Sequence, residues 1–79
     1  MSIMLDKNLY ALPVEENGRA FSYHCLVSRV ATPTCAWVLV RGGDVLSSGL
    51  VEDDDVELML KALRADLNGR SEWQNCTIH

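Results

Sequence analysis

No apolar run in this sequence approaches the roughly 20 residues that a membrane-spanning helix needs. The longest, such as 35–40, is far shorter, and no charged-then-apolar leader opens the chain. Cysteine is scarce and odd in number: Cys25, Cys35 and Cys76 lack the spacing of a disulfide framework, which argues against a secreted, cross-linked scaffold and fits a reducing compartment. Together these features point to a cytoplasmic protein, or to the host cytoplasm if the gene is phage-borne. The acceptor pattern Asn75-Cys76-Thr77 has no meaning without export. Positive charge is also in short supply. Seven basic against eleven acidic side chains leave a net charge of −4, which works against binding a polyanion through counterion release and makes nucleic acid an unfavourable ligand.

The sequence also lacks the marks of catalysis. It has no glycine-rich phosphate loop, no two-histidine helix motif and no nucleophile elbow. Cys25 and Cys35 fall in apolar, strand-like segments where a thiolate is disfavoured. Cys76-Thr77-Ile78-His79 has the spacing of one half of a zinc site, but the other half is missing, and neighbours His24 and Cys25 would point to opposite faces of a strand. The expectation is a protein that is not an enzyme and holds neither cofactor nor metal.

What is present is a foldable core. The chain has 79 residues, 48% of them hydrophobic, with two tryptophans, a composition too apolar for intrinsic disorder. One domain spanning 1–79 is expected. A domain this small buries only about 60% of the surface its unfolded chain exposes, so association with another chain would stabilise it.

The periodicity reads as α+β. Residues 9–14 suit a short strand that Pro13 confines to an edge or to its end. Asn17-Gly18 reverses the chain. Over 21–30, Phe21, Tyr23, Cys25 and Val27 alternate with Ser22, His24, Leu26 and Ser28, the period of a strand with one core face. Pro33 breaks this run, and 35–41 resumes it with Trp37 and Leu39 on one face and Ala36, Val38 and Val40 on the other. Gly42-Gly43 makes a tight hairpin into 45–51, where Gly49 marks either a bulge or a close approach.

Val56, Met59, Leu60, Leu63 and Leu67 then lie at helical spacing, with Asp53 or Asp54 as the cap and Gly69 as the left-handed stop. The tail, 71–79, suits a last strand or an extended arm. These elements predict an antiparallel sheet of three to five strands with one amphipathic helix packed on one face.

Two features bear on function. Glu52, Asp53, Asp54, Asp55 and Glu57 put five acids in six positions at the mouth of the helix, and Asp44, from the hairpin turn, is grouped with them. Acids here complement the helix dipole, and they also form a patch suited to a partner protein with a basic surface. The second feature is the apolar character of the face opposite the core, with Leu26, Val38, Val40, Leu46 and Leu50. One helix cannot cover both faces, so a homodimer across the sheet or a partner protein is expected.

Trp37-Val38-Leu39-Val40, Gly42-Gly43 and Val45-Leu46-Ser47-Ser48-Gly49, followed by an acid-led helix, resemble the strand-turn-strand-helix unit of many small bacterial and phage domains. In size, acidity and lack of catalytic residues the whole chain resembles phage-encoded inhibitors of the anti-CRISPR kind, short and often dimeric proteins that block a surveillance complex or nuclease. That resemblance is one of type and assigns no role to any residue. It implies an inhibitor acting through its acidic surface; the alternative is a small homodimeric structural or adaptor subunit.

Overall fold

A computed structural model describes residues 7–76. The opening segment 1–6 and the tail residues Thr77, Ile78 and His79, with the half-site expected there, lie outside the described residues. Strands β1 (Lys7–Glu16), β2 (Arg19–Ala31), β3 (Thr34–Arg41), β4 (Asp44–Glu52) and β5 (Gln74–Cys76) form one sheet in the order β4-β3-β2-β1-β5. Every neighbouring pair is antiparallel. A single 3-10 turn (Asp53–Asp55) leads from β4 into helix α1 (Val56–Asp66).

The hairpins follow from local chemistry. Asn17 and Gly18 both adopt positive φ (54° and 77°), as do Gly42 and Gly43 (57° and 93°), and two successive positive φ values match a two-residue turn to the right-handed twist of its strands. β1 is longer than the expected 9–14. Pro13 lies inside it, opposite Ser22 and beyond the Leu9–Ala11 stretch on which β5 pairs. Among the described residues no further strand pairs with the outer edge of β1 there, so a proline is tolerated. Within the described part of the tail, Gln74, Asn75 and Cys76 take the strand alternative and pair with β1.

The register puts Leu12, Tyr23, Cys25, Val27, Cys35 and Leu39 on one face of the sheet. With Leu60 of α1 these side chains form the buried core, and Val56, Met59, Leu63 and Leu67 pack against it. Leu12 and Cys25 are fully buried. The Trp73 indole N–H donates to the Leu60 carbonyl at 2.8 Å and so fastens the chain ahead of β5 to the helix. Farther along the same face, the Arg41 guanidinium lies 4.1 Å from the centre of the Phe21 ring, which meets Tyr23 edge-on at 5.4 Å.

One glycine departs from the expectation, and another takes the second of its two expected roles, a close approach. The left-handed residue ending α1 is Asn68 (φ 54°), while the Gly69 N–H donates to the Arg64 carbonyl. A Cβ on Gly69 would lie 2.9 Å from Leu12 Cδ2, so this glycine is required by close packing against the core rather than by its φ. Gly49 faces Trp37 across the ladder, and a Cβ there would lie 3.0 Å from the indole nitrogen. The bulge falls elsewhere: Leu39 faces Ser47 but Val40 faces Val45, leaving Leu46 as the extra residue on β4.

Leu12 joins sheet and helix at the centre of this core. Leu12→Ala should lower the unfolding free energy by about 3 kcal/mol, a truncation and cavity cost typical of buried leucines. Denaturant titration should show an earlier midpoint with an unchanged slope; a midpoint within experimental error of the parent would show that the core does not depend on this contact.

Candidate functional site

The acids expected to act together are divided by the structure. Asp44 and Glu52 stand at opposite ends of β4, eight residues apart, which at about 3.4 Å per residue separates their backbones by roughly 27 Å. Asp44 therefore does not belong to the acidic helix mouth. It faces Arg41 at the other end of the sheet.

Asp53 is also set apart. Neither Asp53 nor Asp54 caps α1: Asp55 occupies the cap position and makes no side-chain cap hydrogen bond. Asp53 instead turns inward, accepting the Cys35 thiol at 3.0 Å on Oδ1 and pairing with Arg29 at 3.0 Å through Oδ2. Its backbone N–H donates to the Pro33 carbonyl at 2.8 Å. It locks the end of β4 to the β2–β3 hairpin. Glu52, Asp54, Asp55 and Glu57 remain exposed, and among the described residues they form no ion pair.

A cleft of about 310 Å³ opens beside this lock, lined in part by Tyr10, Arg29, Cys35, Asp53 and Glu57. Cys35, the cysteine among its described lining residues, is poorly prepared for attack. The hydrogen bond to Asp53 raises the Cys35 pKa above its ordinary value, burial and the Asp53 charge add to the rise, and Arg29 opposes it. Burial raises the Tyr10 hydroxyl as well, with further contributions from Cys25, Glu57 and Cys35. Cys25 is pushed up to about 11 by burial. The protonated thiol is thus the stable form of both core cysteines, and it is a weak nucleophile. Sequence reasoning placed Cys35 in an apolar strand but missed its link to Asp53, which depends on a contact across eighteen residues.

A separate feature is the sheet face opposite the core. The register places Leu26 beside Val38 and Ser48, and Ser28 beside Ala36 and Leu50, on that face. His24 and Val40 continue it toward Val45, and half-buried Leu9 and buried Ala11 carry it onto β1. Leu50 is 70% exposed and Val45 65%. Leu46, at the bulge beside them, is 50% exposed. Among the described residues no charged side chain occupies the middle of this face, although 23% of the chain is charged; Lys7, Glu15 and Glu52 stand at its margins. His24 and Cys25 lie on opposite faces, as the alternation implied. Among the described residues no His, Cys, Asp and Glu group is placed to hold a metal ion, and no helix is long and apolar enough to cross a membrane.

Two outcomes follow from the thiols. In a Cys76→Ser background, Asp53→Asn removes the group that holds Cys35 protonated while Arg29 stays, so the rate–pH profile for alkylation of Cys35 should move to lower pH. An unmoved profile would deny the Asp53 link. For Cys25 the folded-state value lies above the ordinary 9.0, so its contribution to stability is complete below pH 9 and is lost as pH rises toward about 11. The parent should lose more stability over this range than Cys25→Val, as followed by thermal melting; parallel curves would contradict the burial effect. Comparison with protein-family models, curated proteins and solved structures yields no match to this chain.

Proposed function

We propose that this chain is a non-enzymatic protein-binding module of the cytoplasm, in which the amphipathic helix covers one sheet face and the other face is the contact surface. The observation that supports this reading is the uncharged, apolar centre of the open face, with Leu50 and Val45 largely exposed. Depletion of charge at the centre with charge at the rim is the compositional pattern of a protein interface. Solitary exposed apolar residues are ordinary, but here half-buried Leu9, Leu26, Val38 and Val40 adjoin exposed Val45 and Leu50 on one face. The reading corresponds to a small structural or adaptor subunit.

A second reading is supported by a separate observation. Glu52, Asp54, Asp55 and Glu57 project from one turn without counter-charges among the described residues. Such a patch would steer the chain toward a basic surface and speed encounter, as in an inhibitor of the anti-CRISPR kind acting on a nucleic-acid-binding complex. Affinity would still come from apolar anchors, which the open face supplies. Asp44 and Asp53 have no part in that patch, the first by distance and the second because it is engaged with Arg29 and Cys35.

Affinity capture from nuclease-treated bacterial lysate compares the two surfaces. Proteins retained by the tagged parent should be lost with Leu50→Lys if the open face is the contact surface. Loss with Asp54→Lys/Asp55→Lys and elution by salt would favour the acidic patch instead. Identical profiles for the parent and both variants would refute both.

A further inference from the structure

We propose that the open face is closed by a second copy of this chain, related by a twofold axis running parallel to the strands between β2 and β3. This rests on the reading of that face as the contact surface and identifies its occupant.

Size is the first argument. Four strands spaced about 4.8 Å apart, each contributing about seven residues at about 3.3 Å, present a face of roughly 20 by 23 Å. With its side-chain relief, closing two such faces removes on the order of 1,200 Å² from water, the lower bound for a stable specific interface. A sandwich of two aligned sheets has this form, with inner faces about 10 Å apart and strands within about 30° of one another.

Charge is the second argument, and it favours a copy over an unrelated protein. Each chain carries a net charge of −4, so copies repel unless the buried surface is neutral and its rim complementary. The middle of this face is neutral. At its margin, Lys7 shares a rung with Ser28, Ala36 and Leu50, and Glu52 lies two residues beyond Leu50 on β4. Lys7 and Glu52 therefore stand at the same end of the sheet, on opposite sides of the line between β2 and β3.

The proposed axis preserves position along the strands and exchanges β1 with the partner's β4 and β2 with the partner's β3. Leu26 then meets Val38 of the partner subunit, and each Lys7 comes over the rung next to Glu52 of the partner subunit, within reach of a lysine side chain. The interface is isologous, so each such contact occurs twice. Glu52 continues into Asp54 and Asp55, and Lys7 is the one cation that the described strands place on this face, so this pairing offsets the largest local negative charge. The covered face stays covered, and Asp54, Asp55 and Glu57 of the acidic helix mouth stay exposed.

Sedimentation equilibrium on the full chain tests the arrangement. The parent should be in concentration-dependent monomer–dimer exchange. Val38→Lys should weaken it more than about a hundredfold, because two unpaired charges enter the buried centre. Leu50→Lys, at a side chain 70% exposed in the single chain, should also weaken it and leaves the core intact if Val38→Lys fails to fold. Lys7→Glu and Glu52→Lys should each weaken association by up to about tenfold, as expected for two rim pairs, and Lys7→Glu/Glu52→Lys should restore it to near the parent.

A monomer at every concentration overturns the second copy but leaves open-face binding to the lysate comparison. A dimer indifferent to Leu50→Lys overturns the face as its interface. Rescue by Lys7→Glu/Glu15→Lys in place of the Glu52 swap would set the twofold across the strands and overturn the stated axis.

Discussion

Burial of Leu12, Tyr23, Cys25 and Leu60 in one cluster holds the molecule together, and among the described residues one α-helix contributes to it. An antiparallel sheet has two faces. When a single eleven-residue helix lies against one of them, the other must be polar, be covered by something else, or face water as apolar surface. Here the face away from the helix keeps Leu26, Val38, Val40 and Leu50 and carries its charges only at the rim. Among the described residues, the scarcity of covering material thus leaves this surface open.

The same economy governs the helix mouth. A run of acids at the start of a helix is compatible with the dipole without further explanation, yet the structure divides the run by task. Asp53 is drawn in by Arg29 and the Cys35 thiol, closing the corner where β4 leaves the sheet. Its neighbours stay in solvent. One carboxylate is structural, and the others set the electrostatic character of that end of the molecule. The chemistry at Cys35 follows from this: a thiol that donates to a carboxylate is held as a thiol, so the adjoining cleft contains no activated nucleophile at that sulfur.

Much of the fold was legible in the chain. The alternation of Tyr23, Cys25 and Val27 with His24, Leu26 and Ser28 assigns each side chain to a face, because successive strand residues point to opposite sides. Asn17-Gly18 and Gly42-Gly43 mark both tight turns, because few other residues tolerate positive φ. Of the helical stripe, Leu60 is buried in the core and Val56, Met59, Leu63 and Leu67 are partly buried against it. Misreadings arose where contacts between distant segments decide. The place of Asp44 depends on the length of β4, the role of Asp53 on Arg29 and Cys35, and the need for glycine at position 69 on Leu12.

By itself the sequence determined the class of fold, the two faces of each central strand, and the presence of more apolar surface than one helix covers, because these depend on periodicity and composition. Tertiary structure alone decided that the tail pairs with β1, that Asp53 leaves the acidic patch, and that Lys7 and Glu52 flank the same end of the open face. Strand order and register bring together residues far apart in the chain, and no local pattern encodes that adjacency.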